Sequence, residues 1–483
     1  MRPPVACAAL LAAALAAGLI RAERPGALPP ARIPAPQAPL PLPEVLRAER
    51  PLGLVLVSID TLRADRLSLY GHERSTSPAL DAFAREARVF ESAWSQSPKT
   101  AESHMTLFTG LYPAAHGVEN LRHRSQALAP AIPTLAEILQ RAGYRTAGFH
   151  GAGNLDAELG FDRGFDLYEH PGDVEAVFAR GIEWLERRAR EPERRPFYLF
   201  LHTKVLHDPY EPPPEYAALF ADPDYAGRIG LPEAERLRAR REGGWWLVHR
   251  RYWERVDPAS EADVQHLRDL YDALIRYMDD RLALLLDRFL ALGLDRDTLF
   301  VFLSDHGEEF MDHRGFRHGS LHREVLHVPL LVRLPDAAGR RIREPVALVD
   351  VLPTLLEWLG LPRPAHLQGR SFAALLRDEP LEERPVYSEW AARGARSLRS
   401  GSWSYLDARV GERLYDLASD PAERRDLAGR EPERLLRLRR DAGALSRATA
   451  DFAAGVGRGQ RFDLDAGRRA QLEALGYLGG NAP

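Results

Sequence analysis

The chain of 483 residues has one cysteine, Cys7. Any product that loses the N-terminal segment has no thiol, which excludes disulfides, thiolate metal sites and a cysteine nucleophile. Lysine is almost as scarce: Lys99 and Lys204 are the only two, in a chain whose basic residues are otherwise arginine. There is no excess of charge of one sign, since 65 basic against 69 acidic residues leave a formal charge of −4. Without a concentrated basic surface, nucleic acid is a poor partner. No apolar run reaches the ~20 residues of an upright membrane helix. The longest, Val5 to Ile20 after Arg2, has the basic start and small residues of a secretory signal or a short uncleaved anchor. Arg24 to Pro43 is Pro- and Ala-rich without amphipathic period and reads as a tether.

What remains is an ordinary globular balance, 45% hydrophobic and 28% charged, in a chain long enough for one large α/β domain with additions. Gly53–Ile59 is a short apolar run, the pattern of a buried parallel strand. Tyr144–Phe149, Phe197–His202, Thr298–Leu303 and Val328–Val332 repeat the pattern. Helices are expected at Pro78–Ala87, with Ser77 as N-cap, at Pro133–Ala142, and over the long Ala262–Leu292 segment with its three- and four-residue Leu/Ile spacing. Strands alternating with helices predict a mainly parallel sheet covered on both faces, with its site at the carboxyl ends of the strands. From Arg384 onward short strands at Val386–Trp390, Ser402–Leu406 and Leu414–Leu417 predict a smaller antiparallel sheet, followed by a polar helix from Pro432 to Thr449. Arg236–Asp257, with Trp245 and Trp246, fits no simple period and reads as an inserted loop or helical lid. The expected division is 1–22 signal or anchor, 23–50 tether, 51–383 catalytic domain with an insertion at about 211–260, and 384–483 C-terminal subdomain and tail.

Three segments carry chemistry. Asp60 follows the first apolar run, as a metal carboxylate at a strand end or as a helix cap. Asp305 and His306 follow the Thr298–Leu303 run, and Gly307 frees the turn that aims them into one cavity. Imidazole and carboxylate together suit a divalent ion. Ser103–Thr109 suits a helix with Thr100 just before its N-terminus, where free N–H groups and the dipole favour an anion. A hydroxyl there can coordinate an ion, lose its proton and attack, or serve as a plain N-cap. His207 and His318 each follow a buried strand and can contact an anionic ester or protonate its leaving oxygen. Asp65 and Glu308 fit supporting roles.

Taken in order, these segments resemble the sulfatase family of the alkaline phosphatase superfamily. Ile59–Gly71 resembles the family's metal-binding start and Thr100–Gly117 its nucleophile segment. Gly160–Asp166 is a landmark, Ser304–Glu309 with His318 and His327–Val332 the second metal segment, and Leu414–Glu423 the C-terminal subdomain. The resemblance implies an alkaline-phosphatase-like α/β/α sandwich with a mainly parallel sheet, plus a smaller C-terminal antiparallel sheet and helix. It implies one divalent ion held by Asp60, Asp305, His306 and the Thr100 oxygen, as Ca, Mg, Mn or Zn. Family sulfatases carry Cys or Ser, oxidised to formylglycine, in a Cys/Ser-x-Pro-x-Arg context. Here Thr100 takes that position, with Glu102 for Pro and His104 for Arg. Thr61 replaces the second Asp of the family's pair. The family's Lys-x-His segment is missing from His150–Asn154, and His318 replaces a sulfate-gripping Lys.

A formylglycine hydrate releases sulfate through its second hydroxyl. A threonine ester has none, so water or another acceptor must displace it at the central atom, which phosphorus tolerates well. The expected activity is hydrolysis of sulfate or phosphate esters by Thr100, with His207 and His318 at the oxyanion or leaving group and Lys99 and Lys204 adding positive charge. The expected partner is an anionic ester, a glycan or lipid headgroup, met outside the cytoplasm in the periplasm or beyond, with the N-terminus as a membrane tether if uncleaved. A cell-envelope phosphotransferase and a non-catalytic binding protein are the alternatives.

Overall fold

The computed structural model describes residues 53–462 apart from 122–123, 152, 193–194, 336 and 409–410. The expected signal or anchor, the tether, Cys7 and the segment after 462 lie outside the described residues. Strand β1 (Gly53–Ile59) is buried along its whole length, and its side chains alternate between two cores. Leu54 and Leu56 enter one, while Val55, Val57 and Ile59 enter the other. This is why the run shows no polar alternation: both faces are covered.

In chain order there follow α1 (Pro78–Ala84), β2 (Arg88–Trp94), α2 (Thr100–Thr109), α3 (Leu135–Arg141), β3 (Arg145–His150), β4 (Leu167–Glu169), α4 (Val174–Ala189), β5 (Phe197–Thr203), α5 (Glu233–Trp253), α6 (Glu261–Ala291), β6 (Thr298–Ser304), β7 (His327–Arg333) and β8 (Arg340–Ile342). The central sheet runs β8-β2-β7-β6-β1-β5-β3-β4, with Val346–Ala347 a further short strand on β2. β1 pairs in parallel with β5 and β6, whereas β7 is antiparallel to both its neighbours. The sheet is therefore mainly parallel, and β1, β5 and β6 bring their carboxyl ends to one edge.

Two expected details differ. Ser77 makes no side-chain cap bond to helix α1; its Oγ instead meets Ser68 Oγ at 2.9 Å and donates to Asp81. Helix α3 starts later than expected, because Thr134 forms a capping box with Glu137. The insertion is helical: α5 contains a break at Gly243 and Gly244, the second at φ 63°, which scrambles its period. A separate antiparallel sheet follows, β9 (Val386–Trp390), β10 (Ala395–Ser400), β11 (Trp403–Ala408) and β12 (Gly411–Asp416). Helix α7 (Pro432–Val456) packs Leu438, Ala442 and Leu445 into the cluster that includes Leu398, Tyr405 and Leu414. Among the described residues no helix is long and apolar enough to cross a membrane.

Candidate active site

The chain leaves β1 through Asp60 and a left-handed residue, Thr61, at φ 60°. A β-branched residue there is strained and must be held by its surroundings. Thr61 O accepts from Tyr271 Oη at 2.6 Å, and Thr61 N donates to Asp305 Oδ1 at 3.3 Å. The turn thereby points the Asp60 carboxylate inward. At the neighbouring strand end, Ser304 Oγ accepts from Leu62 N and donates to His306 O. Asp305 Oδ1 also accepts from His306 N at 2.9 Å. Both turns are thus cross-tied through backbone donors.

The remaining oxygens are not satisfied. Asp60 Oδ1 and Oδ2 and Asp305 Oδ2 are buried and have no hydrogen-bond partner among the described residues. His306 Nδ1 donates to Gly307 O at 3.0 Å, which leaves Nε2 as an acceptor facing the carboxylates. That nitrogen lies 3.7 Å from Asp60 Oδ1 and 3.5 Å from Asp305 Oδ2.

Helix α2 closes the ring. Thr100 Oγ1 stands 3.4 Å from His306 Nε2. Thr100 is the first helical residue rather than the one before it, because Ser103 N already bonds Lys99 O at 2.8 Å. Ser103 Oγ donates to Asp305 O at 2.7 Å and His104 Nδ1 to Thr100 O at 2.9 Å, while His104 Nε2 accepts from Ser58 Oγ. These bonds fix the helix start against both strand ends. Glu102, at the position of the family's proline, is buried against Ser97, and burial pushes its carboxyl up to about 7.

Electrostatics favour a cation in this ring. Burial raises the carboxyls of Asp60 and Asp305, and Asp305 rises further because Asp60 is beside it. Burial also holds the His306 imidazole well below its usual range, hence neutral. Two orphaned carboxylates, a neutral imidazole and a hydroxyl suit one divalent ion by donor type.

The other expected residues gather around this ring. His207 Nδ1 lies 2.8 Å from Asp208 Oδ1. Burial alone would strip its proton, but Asp208, with Asp60 and Glu308 nearby, outweighs this and holds the imidazole at about 9. The His318 ring is 4.6 Å from that of His306 and 5.3 Å from that of His207, and its Nδ1 lies 3.3 Å from Glu308 Oε1. Lys99 Nζ donates to His318 O at 3.3 Å and sits 4.5 Å over the Trp390 ring; burial lowers its ammonium to about 8. Lys204, just past β5, is lowered by burial and feels the charges of Asp60 and Asp208. Asp65 turns away to pair with Arg63 at 2.8 Å.

Sequence reasoning missed His202, Asp208 and Arg317. His202 is fully buried with its Nε2 3.9 Å from Asp60 Oδ2. His202 lies inside the apolar strand β5 and Asp208 directly follows His207, but neither position by itself marks a role.

The sulfatase family profile matches residues 53–361, and the profile described as N-sulphoglucosamine sulphohydrolase, C-terminal, matches residues 311–438. The chain belongs to the sulfatase family. Arylsulfatase K of Bos taurus is 25% identical over 432 residues, covering 78% of this chain and 79% of that protein. An arylsulfatase of Clostridium perfringens is 23% identical over 78% of this chain and 90% of its own. Among solved structures, the phosphonate monoester hydrolase of Agrobacterium radiobacter superposes with a TM-score of 0.64 at 22% identity, over 83% of this chain and 96% of its own. A structure in complex with its substrate D-glucosamine-2-N,6-O-disulfate reaches 0.69 at 20% identity, over 83% and 99%. The alkaline-phosphatase-like fold that the resemblance implies is thus shared with these structures. This sulfatase is an ester hydrolase, from a family that works with a bound metal.

Proposed function

We propose that this sulfatase hydrolyses sulfate or phosphate esters with Thr100 as its nucleophile. The observation that carries the reading is the Thr100 hydroxyl at the first turn of α2, 3.4 Å from His306 Nε2 in the ring that also holds the orphaned oxygens of Asp60 and Asp305. Asp60, Asp305 and His306 are the residues that would hold the ion. When bound, the ion supplies positive charge that favours the deprotonated hydroxyl and offsets charge on the ester oxygens.

Thr100 Oγ1 forms a bond to the central phosphorus or sulfur as the bond to the alcohol oxygen breaks. His207, protonated at neutral pH, gives its proton to the departing oxygen. It is then the base that receives a proton from the water that displaces Thr100. Lys99 and the first-turn N–H groups of α2 bear on the anion's remaining oxygens. His318, neutral through burial and beside His306, has a ring facing the same space. Because a threonine ester must be displaced at its central atom, phosphorus is the favoured centre. The apolar Val5–Ile20 run supports an exported enzyme meeting its ester outside the cytoplasm.

The test is a paired screen of sulfate and phosphate mono- and diesters, with Ca, Mg, Mn and Zn supplied separately. Quenched reactions should show a phosphoryl or sulfuryl adduct on the Thr100 peptide. Turnover with the adduct on another residue, or unchanged turnover in Thr100→Ala, overturns the assignment.

A further inference from the structure

We propose that Asp208 is a positioning residue: its buried carboxylate fixes His207 over the site and ties both helix α5 and the Arg317–His318 turn to it. The inference rests on the reading that His207 and His318 face the ester. Asp208 Oδ1 lies 2.8 Å from His207 Nδ1 as an ion-pair contact, while the hydrogen bond from that nitrogen goes to Asp208 O at 3.1 Å. Its Oδ2 accepts from His249 Nδ1 at 3.1 Å, Trp253 Nε1 at 2.6 Å, and Arg317 Nε and Nη2 at 3.0 and 2.7 Å. His249 and Trp253 belong to α5, the inserted helix, and Arg317 to the hairpin after β6. One side chain therefore gathers donors from two stretches distant in the chain.

Arg317 is held at φ 70°, a left-handed conformation that is unfavourable for a non-glycine residue. The Asp208 pair is what anchors it, together with its guanidinium 5.5 Å over the Trp253 ring. The residue after it, His318, is thereby set beside His207. A carboxylate that served only as packing would not face the ring nitrogen of the proposed acid while holding the turn that carries the second histidine.

The groups that face His207 are Asp60 from the end of β1, Glu308, His306 and His318 from the segment after β6, His249 from α5, and Asp208 itself. Arg317 is bound to Asp208 on the far oxygen. Removing the Asp208 charge takes away the largest of the charges that hold the His207 proton against burial.

The test uses the full metal-loaded chain. In Asp208→Asn the alkaline limb of the kcat/KM profile should move to lower pH by about one unit or more. Trypsin cleavage at the exposed arginines of α5 should accelerate about tenfold as the helix loses its anchor. In Trp253→Phe, which removes one donor to Asp208 Oδ2, and Arg317→Gln, which removes two, cleavage should accelerate while the limb stays, because Asp208 remains beside His207. These two variants also carry the test if Asp208→Asn does not fold. An unmoved limb and unchanged cleavage in a folded Asp208→Asn overturn the proposal, as does a limb that moves equally in all three variants. Should the enzyme show no turnover on any ester, the His207 titration is read from its ring Cε1–H resonance, assigned with His207→Gln. A failure of the hydrolase reading is then distinct from a failure here.

Discussion

Thr100 Oγ1 and His306 Nε2 face each other at 3.4 Å, one from the first turn of a helix and the other from the turn after a central strand. Thr100 Oγ1 is the hydroxyl within hydrogen-bond reach of that nitrogen among the described residues, which is why the proposed ester is placed there. Thr100→Ala should lower kcat by about 10³-fold or more. Thr100→Ser keeps the oxygen and should retain a measurable fraction of turnover, though a free rotor loses some alignment. Circular dichroism and melting curves of both variants should match the parent. A Thr100→Ala protein that turns over as fast as Thr100→Ser would remove threonine from the chemistry.

Metal and stability are linked through Asp60. Its carboxyl is raised by burial and lacks any donor, so the charged form strains the metal-free fold. Asp60→Asn should therefore raise the melting temperature of the metal-free protein while abolishing the rise that added ion gives. In the parent, an ion at a hundredfold excess over its Kd should add about 2.7 kcal/mol, reversed by a chelator. Differential scanning calorimetry with each of Ca, Mg, Mn and Zn reads both effects. An equal metal response in Asp60→Asn and parent would place the ion elsewhere.

A second histidine gives a pH signature away from the ion. His313 Nδ1 lies 2.6 Å from Glu324 Oε1, and its Nε2 donates to Glu423 O at 2.9 Å. Burial lowers this imidazole, but the bond and charge of Glu324 outweigh it and raise it to about 9. A raised histidine stabilises the fold in full below its unfolded value near ~6.5 and loses that contribution as pH rises through about 9. The melting temperature should fall across this window, and His313→Gln should flatten the fall. A slope identical in both proteins would show that the pair does not titrate as a unit.

How much of this was legible differs by element. The apolar runs of β1, β5 and β6 announce themselves because both faces are covered, and an acid straight after such a run marks a strand's carboxyl end. Strand β10 was not legible: Arg396 and Arg399 break its apolar pattern, and the strand accommodates both because they pair with Asp407 and Glu423. Helix α5 was obscured by its glycine pair. Asp60, Asp305 and His306 could be picked out since each lies next to its strand in sequence. His104, His202 and Asp208 could not be given roles, since each role depends on partners far along the chain. Gly307 was expected for its backbone freedom, yet its φ is not among the left-handed ones, and the requirement is one of space.

That requirement makes Gly307→Ala a sharp test of the turn. A Cβ at this position would stand 2.1 Å from the carbonyl oxygen of Glu324 and 3.2 Å from Arg63 Cγ. The first is a backbone atom and cannot rotate away. It is held in register because Gly307 N donates to the next carbonyl, Val325 O, at 2.7 Å. The turn must therefore shift, and it carries the carbonyl that orients His306. The expected loss is about 1–3 kcal/mol of stability, read as a lower urea midpoint at unchanged slope. Metal affinity should drop about 10-fold or more as the imidazole loses its orienting partner. Gly319→Ala is the control, because nothing lies within 4 Å of its added carbon, and it should stay within about 0.5 kcal/mol of the parent. If Gly307→Ala bound metal and resisted urea as the control does, the close packing of this turn would not be what aims His306.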